Sequence, residues 1–372
     1  MIPTPEDEKP MRLALALARR GLESVSPNPM VGAVLVRGGR VIGSGWHRRF
    51  GGPHAEVEAL GSLRDARGSD LYVTLEPCAH HGKTPPCSDA IRAARVRRVV
   101  FGARDPNPVT AGKGPKHLRA AGIAVERGVL EKDCERLNAP FFHWIRTGRP
   151  WVILKWAMTL DGKTATSGGE SQWITGEASR ARGHALRRRV DGILVGTNTA
   201  LSDDPRLTPR PARGRRPWRI VLDRRGRLPL CLGLLSPAEG PGDPGPRLYA
   251  AGPRVPAKRL RLLESRGVRV LVVPERSGGL DLEKLLEGLG GLGISQLLVE
   301  GGATLAGSFL EKQLAHEVAA FIAPRIAGGR DAAPAVGGKG LRLLAETPWI
   351  EEPEVRRLGE DIAIQGRLRE RR

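Results

Sequence analysis

The sequence has 372 residues, a length that predicts two domains at roughly 100–200 residues each, and 40% apolar residues suffice for two cores. No stretch reaches the ~20 apolar residues of a membrane span and four cysteines make no disulfide framework, so we expect a cytoplasmic protein without a membrane partner. The net charge of +20 permits nucleic-acid binding, but scattered arginines and only 4% aromatic residues favour small phosphorylated ligands and no nucleic acid.

The first part of the chain alternates helix and strand patterns. In chain order we predict a helix in MRLALALARR, paired strands MVGAVLV and VIGSGW around the turn RGGR, a helix in HAEVEALGSLRDA, strand DLYVTL, a helix in CSDAIRAAR, strand RRVVFGA, and a helix and strand in GPKHLRAAGIAVERGVL. This alternation indicates an α/β domain built on a mixed sheet.

The segment NAPFFHWIRTGRP closes this first domain, and we place the boundary near Gly148, which gives domains 1–148 and 149–372. The second domain repeats the alternation, with strand WVILKWAM, a helix near Glu177 to Arg189, strands GILVG and WRIVLD, a helix near Ala257 to Arg266, strand VRVLVV, helix LEKLLEGL, strand QLLVE and a helix from Ala303. The Gly/Pro-rich residues 236–247 indicate a mobile surface loop.

Three side chains of the first domain have the chemistry of a zinc site. His54, Cys78 and Cys87 offer one imidazole and two thiolates, which leaves the fourth tetrahedral position for a water. His54 and Cys87 fall at predicted helix starts, where the helix dipole favours a thiolate. Glu56 lies two residues after His54 and can face the same cavity without binding the metal, where it could move protons.

Two alternatives to a catalytic zinc site stay open at this stage. A structural site would take a fourth ligand from His80 or His81, and the spacing could also arise by chance. The other two cysteines, Cys134 and Cys231, are expected to be small buried residues.

The pattern H-x-E followed by P-C is the signature of zinc nucleobase deaminases. Eight residues, AHHGKTPP, separate the cysteines instead of the usual two, and SPNPMVGAVLV and DPNP flank the motif. With these features the sequence resembles the bifunctional deaminase/reductase family of riboflavin biosynthesis. The resemblance implies an N-terminal cytidine-deaminase-like α/β/α domain holding one zinc per chain on His54, Cys78 and Cys87, with Glu56 as the catalytic proton shuttle.

The same resemblance implies the substrate, 2,5-diamino-6-ribosylamino-4(3H)-pyrimidinone 5′-phosphate, which loses an exocyclic amine. The positions that match the family's substrate contacts are Asn28, His47, Lys83, Asp105 and Asn107. Simpler roles remain open for them: Asn28 could shape a turn between two prolines, Lys83 could be a solvated loop cation, and the DPNP segment could be a turn after a strand.

Motifs of the second domain continue the resemblance. LKWAMTLDGKTATSGGESQWIT, GILVGTNTALSDDPRLTPR and VEGGATLAGSFL resemble the family's reductase domain, which implies a dihydrofolate-reductase-like α/β fold and NADPH as cofactor. The two glycines after strand QLLVE also have a physical meaning, because they let backbone amides at a helix start approach a phosphate. The turn lacks the G-x-G-x-x-G fingerprint, so a Rossmann domain is disfavoured.

The resemblance also assigns contacts in the second domain. NADPH would contact Ala157, Trp173, Thr199, Asp203, Ser236, Gly301, Gly302, Ala303, Thr304, Leu305, Ala306 and Gly307. The substrate's phosphate and ribose would contact Lys155, Ser171, Arg187, Leu207, Arg210 and Glu300. Lys155 lies on a strand that otherwise has buried residues, so it needs a partner. Either arginine could instead be a surface cation, and Trp173 could be a core residue.

The resemblance therefore predicts reduction of the ribosyl chain at C1′ to give 5-amino-6-ribitylamino-uracil 5′-phosphate, in a homo-oligomer. A nucleic-acid deaminase is the main alternative, but it predicts the two-residue cysteine spacing and leaves the second domain unexplained. A non-catalytic zinc module would not require Glu56, Asn28 and the reductase motifs together.

Overall fold

The computed structural model describes residues 4–82, 84–211, 214–236 and 245–369 of the chain. Lys83 and most of the predicted surface loop at 236–247 lie outside the described residues. The chain forms two compact units, Met1–Gly148 and Arg149–Arg372. Among the described residues, none of the helices has the length and apolarity that crossing a bilayer requires.

The first unit is an α/β layer around a mixed sheet. Its elements are α1 (Pro5–Ala18), β1 (Gly32–Arg37), β2 (Arg40–Trp46), α2 (Ala55–Gly61), β3 (Asp70–Leu75), α3 (Cys87–Ala93), β4 (Arg98–Ala103), α4 (Lys113–Ala120), β5 (Ala124–Arg127), α5 (Glu131–Leu137) and α6 (Ala139–Thr147). The strand order is β2-β1-β3-β4-β5. Strand β1 runs antiparallel to both β2 and β3, while β3, β4 and β5 are parallel, which confirms the predicted mixed α/β sheet.

Helix α2 lies directly on the sheet because the facing strand residue has no side chain. A Cβ atom on Gly45 of β2 would be 2.5 Å from the backbone nitrogen of Ala59 in α2. Val73 of β3 and Ile91 of α3 belong to the core cluster on this side of the sheet. This close packing brings the first turn of α2 and the start of α3 together over the carboxyl end of β3.

The second unit is built on a nine-stranded mixed sheet. Its elements are β6 (Trp151–Thr159), α7 (Glu177–Arg189), β7 (Gly192–Gly196), α8 (Thr197–Asp203), β8 (Trp218–Asp223), β9 (Arg247–Ala251), α9 (Ala257–Ser265), β10 (Arg269–Val272), β11 (Glu275–Arg276), β12 (Gly279–Leu280), α10 (Leu282–Gly291), β13 (Gln296–Glu300), α11 (Ala303–Glu311), β14 (Glu317–Ala323), β15 (Ile350–Leu358) and β16 (Asp361–Leu368). The strand order is β10-β9-β8-β7-β13-β6-β14-β16-β15.

The strands from β10 to β14 in this order are parallel, β16 pairs antiparallel with β14, and β15 pairs antiparallel with β16 at the edge of the sheet. The central strand β13 therefore ends beside the middle of β6, where its last residue Glu300 is in register with Lys155. One expectation about the unit is wrong: Cys231 is exposed instead of buried, whereas Cys134 of the first unit is buried as expected.

Candidate zinc centre and reductase cleft

The three predicted zinc ligands meet at one point of the first unit. The ligand atoms of His54, Cys78 and Cys87 all lie within 4.8 Å of one another. His54 is the N-cap of α2 and Cys87 is the first residue of α3, so two helix starts converge on the third ligand. His80 and His81, both among the described residues, are not part of this cluster, which favours three protein ligands and an open fourth position.

The orientation of the imidazole selects its ligand atom. Nδ1 of His54 lies 3.0 Å from Sγ of Cys87 and 3.6 Å from Sγ of Cys78, while Nε2 lies 3.3 Å from Oγ1 of Thr84. Nδ1 therefore faces the metal position, and the Thr84 hydroxyl holds the other ring nitrogen, as outer hydrogen bonds do in metal sites. Sequence reasoning did not identify Thr84.

The thiols of Cys78 and Cys87 differ in the direction of their pKa shifts. A hydrogen bond from the Cys87 thiol, supported by His54, lowers the pKa of Cys78, and Cys78 in turn raises the pKa of Cys87. The backbone N–H of Cys87 also donates to Sγ of Cys78 at 3.3 Å. Two sulfurs and one imidazole nitrogen, close together and partly withdrawn from solvent, are a donor set that suits Zn²⁺.

Glu56 lies beside this cluster on the first turn of α2 and is only 3% exposed. Burial raises its pKa to about 6, and the neighbouring Cys78 adds to this increase. A carboxyl group with a pKa this close to neutrality can both accept and release a proton, as a general acid–base catalyst must.

A cavity of about 370 Å³ opens over the zinc position. Its lining includes the predicted residues Asn28, His47, His54, Glu56, Cys78, Asp105 and Asn107. Nδ1 of His47 donates to the carbonyl of Pro53 at 2.9 Å, so its Nε2 accepts from Nδ2 of Asn28 at 3.1 Å. Burial lowers the pKa of His47, which agrees with this neutral ring. The assignment of Lys83 stays a prediction.

The DPNP segment is an ordered turn as well as a part of the cavity wall. The Asp105 carboxylate accepts from the backbone of Asn107 at 2.9 Å and from the hydroxyl of Thr110 at 2.6 Å. Glu76, which sequence reasoning missed, accepts from the backbone N–H groups of Asp105 and Gly112 and so fixes the turn to the end of β3. Asn107 thus faces the cavity from a rigid loop.

The candidate site of the second unit is built around a buried carboxylate, that of Glu300. Glu300, 8% exposed, accepts from Nε of Arg187 at 2.7 Å and from Nη2 at 2.8 Å, and Nζ of Lys155 is 3.9 Å away. Burial favours the neutral acid, but the two cations outweigh it and lower the pKa of Glu300 to about 2. Lys155 therefore has the partner that its buried strand requires.

This ion-pair cluster forms the floor of a cleft of about 990 Å³. The predicted residues in its lining are Lys155, Ala157, Ser171, Trp173, Arg187, Asp203, Leu207, Arg210 and Glu300. Helix α7, which carries Arg187, is fixed at its start by Asp361, whose carboxylate accepts from the backbone of Gly176 and the hydroxyl of Ser179. His184 and Thr208 also line the cleft and were not predicted.

Two open questions about the cleft are settled by exposure and pairing. Trp173 is 62% exposed, with the Arg180 guanidinium 4.8 Å from its ring centre, so it is not a core residue. Arg187 is 19% exposed in its side chain and fully engaged with Glu300 and the carbonyl of Thr208, so it is not a surface cation.

The glycine turn after β13 has the form of a phosphate cradle. Gly301 and Gly302 have φ of 91° and 84°, a conformation that only glycine adopts readily. A Cβ on Gly301 would be 2.8 Å from Cγ2 of Thr199, so the predicted cofactor residue Thr199 lies against the turn. The turn leads into α11, whose first N–H groups suit a diphosphate. Ser236 instead donates to the carbonyl of Leu232 and is not in the cleft lining.

Comparisons with known proteins agree with this two-site arrangement. The model of the cytidine and deoxycytidylate deaminase zinc-binding region matches residues 4–103, and that of the RibD C-terminal domain matches residues 150–364. The riboflavin biosynthesis protein RibD of Actinobacillus pleuropneumoniae is 42% identical over 355 residues, covering 95% of this chain and 93% of its own length. The Escherichia coli protein of the same name is 41% identical over 373 residues, covering 96% and 98%.

Solved structures are similar over the same span. Acinetobacter baumannii RibD, form 1, has a TM-score of 0.87 at 37% identity, covering 98% of this chain and 99% of its own. A diaminohydroxyphosphoribosylaminopyrimidine deaminase/5-amino-6-(5-phosphoribosylamino)uracil reductase from Thermotoga maritima has a TM-score of 0.81 at 36% identity, with coverages of 98% and 99%.

Proposed function

Because the chain belongs to the RibD family of riboflavin biosynthesis, we propose that the two sites described above divide the family's two reactions. The enzyme deaminates 2,5-diamino-6-ribosylamino-4(3H)-pyrimidinone 5′-phosphate and then reduces the ribosyl chain to ribityl, with zinc and NADPH as cofactors. The observation that carries the proposal is the convergence of His54, Cys78 and Cys87 beside the buried Glu56.

In the deaminase site the chain's own task is to move one proton. His54, Cys78 and Cys87 would hold the zinc, which when bound would supply the Lewis acidity that makes a water nucleophilic toward the amine-bearing carbon. Glu56 takes a proton from the attacking water and delivers it to the departing amine, so that ammonia leaves and the carboxylate is restored. Asn28, held by His47, and the Asp105–Asn107 turn line the cavity in positions to hold the pyrimidine.

In the reductase site the residues hold the sugar and the cofactor in contact. NADPH, when bound, would supply the hydride for reduction at C1′ of the opened ribose. Lys155 and Glu300 would face the sugar, with Ser171 and Leu207 beside them in the cleft lining. The glycine turn at Gly301 and Gly302 and the start of α11, as far as Gly307, would receive the cofactor diphosphate. Since Arg187 is committed to Glu300, we assign the substrate phosphate mainly to Arg210.

Removal of zinc tests the division between the sites. A chelator should abolish ammonia release from the diaminopyrimidinone substrate, while NADPH oxidation with the already deaminated substrate continues at the original rate. Added zinc should restore the first reaction. Ammonia release that survives complete zinc removal would refute the assignment of the cluster, and loss of both reactions would show that zinc supports the fold and not only the deaminase chemistry.

We also propose that the enzyme works in the cytoplasm as a homo-oligomer whose only ligands are its cofactors and a small phosphorylated pyrimidine. The four cysteines are free thiols, which suits a reducing compartment. A match to the reductase domain over residues 150–364 is not expected of a nucleic-acid deaminase. Sedimentation of the protein alone would test whether it is a homo-oligomer, and sedimentation with tRNA would test whether it binds nucleic acid. A salt-sensitive complex with tRNA would contradict the proposal that it binds only small ligands.

A further inference from the structure

Part of the lining of the deaminase cavity lies outside both family models. Residues 104–149 lie between the two matched regions, yet α6 within this segment contributes Phe141, Trp144 and Ile145 to the cavity lining. Their spacing of three and four residues places the three side chains on one face of the helix. All three are half-buried, as expected of an apolar wall that is open to a ligand.

The start of α6 is fixed to the loop that carries Asn28. Asn138, 2% exposed, is the N-cap residue of the helix. Its Oδ1 accepts from the backbone N–H of Met30 at 2.8 Å, and its Nδ2 donates to the carbonyl of Met30 at 2.8 Å. Because these two bonds use both ends of the amide, they hold the helix in a defined position relative to Asn28 and Pro29 of the cavity.

A neighbouring face of α6 belongs to the protein core. Phe142 is 4% exposed and packs among buried residues such as Met11 and Val34. The rings of Phe141 and Phe142 are in edge contact, with centroids 6.1 Å apart and planes at 78°. Phe142 is thus a member of the core cluster, whereas Phe141 packs against the edge of this cluster and also lines the cavity.

The cavity therefore combines a polar side and an aromatic side. The residues around the zinc position, such as Glu56 and Asn28, can form hydrogen bonds with the polar edge of a pyrimidine. The flat face of the ring needs an apolar or aromatic surface. We propose that Phe141 and Trp144 bind the face of the pyrimidinone ring, with Ile145 extending the wall and Asn138 acting as a positioning residue. This proposal rests on the proposed function and names specificity residues of the same site.

Substitution of the wall should weaken substrate binding without changing the chemistry. Phe141→Ala and Trp144→Ala should each raise the deaminase KM about tenfold, since base–aromatic stacking is worth roughly that factor. The value of kcat should change little, because stacking acts on substrate and transition state alike. Zinc content and the reductase rate with deaminated substrate should equal those of the wild type, which establishes that the variants fold.

Two further variants separate stacking from packing. Phe142→Leu, on the core face of the same helix, should lower the melting temperature and leave KM unchanged. Trp144→Phe keeps an aromatic face and should keep KM within about threefold of the wild-type value. The proposal is overturned if both alanine variants retain the wild-type KM, or if Phe142→Leu raises KM as much as they do.

The positioning role of Asn138 has its own readout. Asn138→Ala should raise KM, and combining it with Trp144→Ala should add less than the product of the two single effects, because both act through the same wall. Fully multiplicative effects would refute the coupling. Failure of the proposed function would look different, since the wild-type enzyme would then release no ammonia in a zinc-dependent manner whatever the state of α6.

Discussion

Glu56 beside the zinc cluster and Glu300 in the ion-pair cluster are both buried, and the two residues are in opposite electrostatic states. Glu56 and Glu300 are 3% and 8% exposed. The pKa of Glu56 is raised to about 6, whereas that of Glu300 is lowered to about 2. Burial alone would raise both values, so the difference arises from the neighbours of each carboxylate.

The neighbours are thiols and an imidazole in one case and full cations in the other. Burial dominates at Glu56, and Cys78 raises the pKa further. At Glu300 the paired hydrogen bonds from Arg187 and the charge of Lys155 exceed the effect of burial. The first glutamate is thus suited to exchange a proton during the reaction, and the second to remain a fixed anion that orders cations and sugar around it.

The largest effect should follow from neutralising the proton carrier. Glu56→Gln keeps the size of the side chain but cannot shuttle a proton, so deamination should fall by about 10³-fold, within the range of general acid–base catalysis. Ammonia release measures the loss. Zinc content and NADPH oxidation with deaminated substrate serve as controls and should be unchanged. Deamination at near the wild-type rate would show that Glu56 is not the shuttle.

An intermediate effect should appear in the pH dependence of stability. Folding lowers the pKa of Glu300 from 4.5 to about 2, so the unfolded chain holds that proton more tightly. The ion pair therefore stabilises fully above pH 4.5, and this contribution is lost as the pH falls from 4.5 toward 2. Between pH 6 and pH 3, about 2 kcal/mol should disappear from the free energy of unfolding.

The measurement is urea unfolding of the wild type and Glu300→Gln across this range. The difference in unfolding free energy between the two proteins should shrink as the pH falls. Glu264→Gln is the matched control, because Glu264 of the same unit is exposed and is in no ion pair among the described residues. A difference that stays constant with pH would mean that Glu300 is not held ionised by its neighbours.

How much the sequence could predict also differs between the sites. The zinc cluster could be predicted as a unit, because H-x-E and P-C motifs place ligands at two helix starts and leave little freedom in the geometry. Trp173 could not be assigned in this way, since an aromatic residue in a loop has no periodicity that separates core from surface. Only the fold shows that it is exposed.

Residues that act through another residue were also missed. Glu76 and Thr84 bond to a backbone loop and to a ligand imidazole, and such roles depend on distances between segments that the sequence does not contain. For the same reason the sequence did not predict the ion pair between Arg187 and Glu300, because these residues are 113 positions apart in the chain. The short helices α5 and α8 and the longer strands β15 and β16 were missed because their local patterns are weak.

The smallest predicted effect concerns Arg210, one of the two arginines of the reductase cleft. The sequence alone does not distinguish its role from that of Arg187. Arg187 contacts Glu300 and Thr208, whereas the guanidinium of Arg210 is exposed and has no hydrogen bond or ion pair with the described residues. Arg210 is therefore available to form paired hydrogen bonds with a phosphate. Arg210→Ala should raise the reductase KM about tenfold with little change in kcat, and Arg210→Lys should have an intermediate effect, since lysine keeps the charge but not the fork.

A substrate without its 5′-phosphate makes this prediction specific. If Arg210 binds the phosphate, Arg210→Ala should leave KM for the dephosphorylated compound unchanged, because the partner of the guanidinium is already absent. Arg206→Ala is the control, since Arg206 is also an exposed cation of the cleft lining. Equal effects of the two substitutions on both substrates would indicate attraction by the general positive charge of the cleft. A selective effect of Arg210 would show that one arginine orders the buried glutamate while the other binds the substrate.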